Sequence, residues 1–331
     1  MKAKKLFPIL ALALAATTLT ACGDKSVTFG HYWRTNSLAK NEAFYEHAEY
    51  VVSSTPASSS YANYTVEYTG TFTTTLEYIA NDGVYQFDTS LKVTATFKLG
   101  DKTETVKDTA KTSVTFDAVG NTLRPIKSHK EMLCHTPLTG NFSEVNTCYS
   151  VVEYSYDIQY ESDKDKGTIQ STKYDVTNNQ GETKQFTLNS TFDFAENYSY
   201  IDNEQLLVAV RAINADNSSA TVASYSAFTE ETQKISFSYA NAAEGASSAF
   251  TYALTNADGS NGGESHNILT RTASVALSQE NPGATQEIVL AKTKDAAKNT
   301  YRNVILSIKT PLSYAMGSIE YKLAKVSYFK A

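Results

Sequence analysis

Between Tyr64 and Ala118 apolar and polar residues alternate over three successive runs, and this pattern constrains the fold more than any other feature of the chain. In the first run Tyr64, Val66, Tyr68, Phe72, Leu76 and Tyr78 share one parity, and Thr65, Glu67, Thr69, Thr71, Thr73, Thr75 and Glu77 share the other. A period of two sends neighbouring side chains to opposite faces of a β-strand, so one face is dry and the other wet. Asn81-Asp82-Gly83 supplies a turn. The second run repeats the logic with Tyr85, Phe87, Leu91, Val93, Ala95, Phe97 and Leu99, and after a turn at Gly100-Asp101 the third does so with Val106, Ala110, Val114, Phe116 and Ala118. Each strand is roughly 50 Å long at ~3.3 Å per residue, well above the usual length.

The rest of the chain is also strand-rich. Residues 53–60 read as loop material, and Leu38 to Val52 is compatible with a helix or with a strand at its end. After Pro125, Val152, Tyr154, Tyr156, Ile158 and Tyr160 begin a second meander, which turns near Lys166-Gly167 and Asn178-Asn179-Gln180-Gly181 and continues from Phe186 to Phe194. One helix interrupts it: Asp202 is a suitable N-cap for residues 203–213, with Leu206, Val210 and Ile213 on one stripe. Strands resume at Thr221–Tyr225, at Ile235, Phe237 and Tyr239, at Ile288–Ala291, at Val304, Leu306 and Ile308, and at Ile319, Tyr321 and Leu323, the last with a bulge before Val326 and Tyr328. Residues 241–267 form a loop-rich insertion or weak hairpin. No repeat of fixed period is present.

A long meander with one apolar face must bury that face, since each exposed aromatic would forfeit on the order of 2 kcal/mol at ~25 cal/mol per Å². The expected fold is mainly β (α+β), a large curved antiparallel sheet or half-barrel covered by one amphipathic helix. A β-sandwich is the alternative. In the first arrangement Tyr68, Phe72, Phe87, Leu91 and Phe97 meet Leu206, Val210 and Ile213, either as core or as the lining of a ligand cavity. This architecture resembles the curved-sheet, helix-plugged domains of bacterial lipoprotein carriers. The resemblance rests on shape alone and carries over no ligand residue.

The N-terminus has a different logic. Lys2, Lys4 and Lys5 precede an apolar run from Phe7 to Ala16 that is too short to span a bilayer, and small residues follow. Residues 1–21 therefore read as a signal peptide, residues 22–60 as a tether and N-terminal element, and residues 61–331 as the β-rich domain. Leu19-Thr20-Ala21-Cys22 resembles the lipobox of bacterial lipoproteins. That resemblance implies lipidation of Cys22 by acyl chains such as palmitate and anchorage of the mature chain outside the cytoplasm, on the outer membrane where the organism has one. More than one acyl chain makes such attachment stable. No later run is long enough for a transmembrane helix.

The whole chain carries a formal charge of −6, and without the three leader lysines 26 basic residues face 35 acidic ones, a net −9. An acidic surface repels nucleic acid, which is discounted as a partner. Cys134 and Cys148 are expected to form a disulfide across a short loop, as an extracytoplasmic compartment permits. His129, Cys134, His135 and Cys148 match no common zinc signature, so a bridged loop with solvated histidines is the preferred reading and no metal or cofactor is expected. Asp163-Lys164-Asp165-Lys166-Gly167 lacks the further acids of a calcium loop and reads as a solvated turn, and the loop from Asn256 to Glu264, whose carbonyls could coordinate calcium, reads rather as a flexible acidic loop. His31, Tyr32 and Trp33 read as a packed aromatic group near the tether.

No nucleophile elbow, zinc-protease helix, phosphate loop or dinucleotide-binding glycine pattern occurs. The leading expectation is a non-catalytic, lipid-anchored binding protein holding an apolar or amphipathic ligand between sheet and helix. The other reading is a surface module that binds glycan or protein through loops 135–147 and 256–266.

Overall fold

The computed structural model describes residues 27, 29–30, 44–118, 122–161, 166–176, 183–193, 199–213, 219–226, 231–240, 246–247, 250–265, 268–277, 285–291 and 303–331. The leader with Cys22, the group at 31–33 and the turns at 163–165 and 178–181 lie outside the described residues.

The three alternating runs form β2 (Thr65–Ile79), β3 (Val84–Leu99) and β4 (Lys102–Asp117), each in antiparallel register with the next. β1 (Tyr45–Pro56) lies on the other edge of β2, so residues 53–56, expected as loop, are strand, and the N-terminal element belongs to the same sheet as the body. The meander continues through β5 (Arg124–Pro137), β6 (Tyr149–Tyr160), β7 (Lys166–Val176) and β8 (Thr183–Asp193). Beyond β1 the sheet runs the other way, through β17 (Gly317–Ser327), β16 (Ile305–Pro311), β15 (Gln286–Ala291), β14 (Ile268–Leu277) and β10 (Glu231–Ala240) to β9 (Ser219–Ser226). The expected bulge in the last strand falls where Glu49 and Tyr50 face Lys325 and Leu323. Residues 241–267 contain β11 (Ala246–Ser247) on β14 and a hairpin of β12 (Tyr252–Thr255) and β13 (Asn261–Ser265), with β12 parallel to β17.

The seventeen strands make one large, essentially antiparallel sheet. Among the described residues no ladder joins β8 to β9, so the sheet is not closed into a barrel. Ala223 and Tyr225 of β9 instead pack in one cluster with Tyr154, Tyr156, Ile158 and Tyr160 of β6, bringing the two halves together through side chains.

The buried parity is the one the alternation requires: Val66, Tyr68, Leu76, Phe87, Ala95, Phe97, Val114 and Phe116 are each no more than 2% exposed. Gly70 interrupts this face. A Cβ there would collide with the Lys92 carbonyl oxygen and lie 2.7 Å from the Val93 Cα, so only glycine permits the close approach of β2 and β3.

The expected helix is a capped 3₁₀ turn (Asn203–Gln205) followed by α1 (Leu206–Ala212). It is not amphipathic, because every residue of α1 is buried, Arg211 included. Seven residues cannot sustain a helix by propensity alone, so the packing around α1 holds it.

Candidate functional site

The geometry of the site begins in the sheet register. Thr74 pairs with Thr89, Thr89 with Thr112, Thr112 with Lys130, and Lys130 with Tyr156, so one polar residue per strand lines up straight across β2 to β6. Each sits on the inward parity, where apolar side chains dominate. The flanking rows are largely apolar, with Phe72, Leu91, Ala110, Met132 and Tyr154 on one side and Leu76, Phe87, Val114, Ser128 and Ile158 on the other.

A polar row in an apolar wall must be satisfied locally. The Thr89 and Thr112 hydroxyls bond each other at 2.7 Å. Lys130, 8% exposed, donates to Glu204 at 2.8 Å, and the Tyr156 hydroxyl donates to the same carboxylate oxygen at 2.8 Å. Burial alone would raise the Glu204 pKa, but the Lys130 ammonium outweighs it and holds the carboxyl below its ordinary range.

Two residues before Glu204, Asp202 locks α1 to the sheet. Its Oδ1 accepts the Glu204 amide at 2.8 Å, its own amide donates to Gln205 Oε1 at 2.9 Å, and its Oδ2 accepts Ser128 and Tyr160 hydroxyls at 2.6 Å each. This is a capping box whose carboxylate also ties two strands. Burial pushes the Asp202 carboxyl up to about 6 against the pull of those hydrogen bonds. At the far end of α1, Arg211 forms a bidentate pair with Glu46 of β1, at 2.6 and 2.8 Å. Tyr239 and Asn303 donate to the carbonyls of Val210 and Arg211.

A cavity of about 140 Å³ lies between the helix start and the sheet. Tyr68, Phe72, Leu91 and Ala110 form its wall on the meander side, Leu206 and Leu207 come from α1, and Ile308, Ile319 and Tyr321 close it from the returning strands. Its polar margin comprises Thr89, Thr112, Lys130, Glu204, Gln286 and Thr310. An apolar cavity of this volume accommodates a ligand the size of one aromatic ring.

Of the residues expected as core or as cavity lining, Tyr68, Phe72, Leu91 and Leu206 line the cavity, and Phe87, Phe97, Val210 and Ile213 are packed core. Phe97 stacks between Tyr64 and Tyr149, with ring centroids 6.0 and 4.7 Å away, and Ile213 bridges to Phe29. Thr89, Thr112 and Lys130 were missed from the sequence, although a polar residue interrupting an apolar parity was a readable signal.

Cys134 and Cys148 are not bonded to one another, contrary to the expected disulfide. Both are buried, but in different clusters: Cys134 packs with Met132 and the β6 tyrosines, and Cys148 lies in the main core. Cys134 Sγ is 3.9 Å from Asp108 Oδ2, while Asp108 Oδ1 bonds His135 Nδ1 at 2.6 Å and accepts the His135 amide at 3.0 Å. The carboxylate thus replaces a backbone acceptor just beyond the last β4–β5 pair, Thr109 with Leu133. Burial raises the Asp108 pKa, and His135 opposes this. His129 bonds Asp157 at 2.9 Å on the surface. Among the described residues no three His, Cys, Asp or Glu side chains are grouped to hold a metal ion. In the loop from Asn256 to Glu264, Asp258 accepts the amide and hydroxyl of Ser260.

No family model matches the chain, and neither does any curated protein. Among solved structures, similarity is found to a crystal structure from Brucella abortus described as a beta-barrel-like protein of domain of unknown function DUF1849. Its TM-score is 0.46 at 10% sequence identity, covering 87% of this chain and 99% of that one.

Proposed function

We propose that this protein is a non-catalytic binding protein that holds a small apolar or amphipathic ligand between the sheet and the start of α1. The observation that carries this reading is the cavity of about 140 Å³ whose apolar wall is maintained by a helix anchored at both ends. A short, wholly buried helix tied down by an Asp202 cap and an Arg211–Glu46 pair is an expensive way to fill a sheet, since buried charges carry a desolvation cost. It makes sense as a device that keeps a space open. The lipobox-like Leu19-Thr20-Ala21-Cys22 supports a setting outside the cytoplasm, with acyl chains on Cys22 as the link to the membrane.

The test uses the full chain carrying Cys22→Ser, which receives no acyl chain, in detergent-free buffer. Saturating toluene should raise its Tm by several degrees, and Leu91→Trp, which fills the cavity, should remove the effect. An equal response in both proteins, or none in either, ends this reading.

A further inference from the structure

Among the described residues the cavity has one buried polar atom that no protein group meets, the Oε1 of Gln286. Gln286 is 1% exposed, and its Nε2 donates to Thr310 Oγ1 at 2.9 Å. If the amide is turned over, the threonine hydroxyl donates instead, and the unmet terminus becomes an N–H. In either orientation one end of this buried amide, which belongs to the cavity lining, has no protein partner among the described residues. A buried amide left in that state costs free energy comparable to a lost hydrogen bond.

The charges in the same lining tell the complementary half. Lys130 and Glu204 neutralise each other at 2.8 Å, Tyr156 adds a further donor to Glu204, and Asn203 Nδ2 lies 3.3 Å from the same oxygen. The Thr89 and Thr112 hydroxyls are engaged with one another. A charged ligand head would therefore enter a low-dielectric space with no counter-ion to spare, and would lose its hydration for nothing.

We infer that the cavity selects an uncharged amphiphile bearing a hydroxyl, whose apolar body lies against Tyr68, Phe72, Leu91 and Leu207 and whose hydroxyl bonds the Gln286 amide. A hydroxyl both donates and accepts, so it satisfies that amide in either orientation. This inference rests on the binding reading above and adds the chemistry of the ligand's head.

Four probes of one size separate the two. Toluene has no head, benzyl alcohol has a neutral hydroxyl, benzoate is an anion and benzylammonium is a cation. With the full chain carrying Cys22→Ser, calorimetric titration should place benzyl alcohol about tenfold tighter than toluene, as one hydrogen bond to a buried amide allows. Benzoate and benzylammonium should each bind at least tenfold more weakly than benzyl alcohol. Gln286→Leu should make toluene and benzyl alcohol equivalent. Toluene binding with no advantage for benzyl alcohol, or with either ion bound as tightly, overturns the head-group assignment while leaving the cavity reading intact. Failure of all four probes overturns both. The wild-type series stands by itself should Gln286→Leu not fold.

Discussion

Asp202 concentrates several functions in one side chain: it caps the helix start, receives hydroxyls from two strands, and carries a carboxyl pushed up to about 6 by burial. An unfolded aspartate titrates near ~3.9, so between that value and 6 the folded state holds a proton that the unfolded chain has lost. The sign follows directly. The contribution of this group to stability is fully present below the unfolded value and is lost as pH rises through the folded one. Asp108 acts in the same sense, and Glu204, whose carboxyl is held down by Lys130, acts in the opposite sense at lower pH. Asp202→Asn keeps a capping side chain but has nothing to titrate. Urea midpoints at pH 5 and pH 7.5 should show the wild type losing on the order of 1–2 kcal/mol more than the variant between the two. Identical pH slopes would remove Asp202 from this role. The row Thr74, Thr89, Thr112, Lys130 carries the lesson of this scale for reading sequences. These polar residues on an apolar parity mark where the wall must meet a polar partner, but nothing local says that the partner is Glu204.

At the level of elements, β5 and the end of β1 carry no strand reading in the sequence, and α1 departs from its pattern in another way. Its existence and its N-cap follow from Asp202 and the apolar run after it, and the capping box forms as that pattern requires. Its burial on all sides does not follow, because an amphipathic stripe of Leu206, Val210 and Ile213 leaves Arg211 pointing away from the stripe, as a solvent-facing residue would. Arg211 is instead 4% exposed against Glu46, which lies on β1 at a sequence separation of 165. Breaking one partner of such a pair strands a buried charge, so Glu46→Gln should cost about 3–5 kcal/mol in urea unfolding. A double variant with Glu46→Leu and Arg211→Met leaves no charge behind and should recover most of that loss. A double variant as unstable as the single would show that geometry specific to the pair, rather than desolvation, holds the helix.

Across the whole molecule, the two thiols report on two separate parts of the core. Cys134 and Cys148 flank the loop between β5 and β6 yet belong to separate clusters, one at the tyrosine seam against β9 and one under the meander. Burial, with Glu104 adding to it, pushes the Cys148 thiol up to about 11, so it is almost wholly protonated at neutral pH. In the chain carrying Cys22→Ser, iodoacetamide should react slowly with the folded protein. After unfolding without reductant, mass spectrometry should find two carbamidomethyl groups, on Cys134 and Cys148. Recovery of unmodified chain after unfolding would reinstate the disulfide.

By itself the sequence determined the strands β2, β3, β4 and β6, their inward faces, and a helix start capped by Asp202. Parity, capping and turn chemistry are properties of a few adjacent residues, and in β2, β3 and β4 they all agree. Only the tertiary structure decided that β1 joins the sheet between β2 and β17, that Arg211 finds Glu46, and that of the residues expected as core or lining it is Tyr68, Phe72, Leu91 and Leu206 that face an opening. Those outcomes depend on curvature and on partners far apart in the chain, and a local pattern encodes which face is buried without encoding what is buried against it.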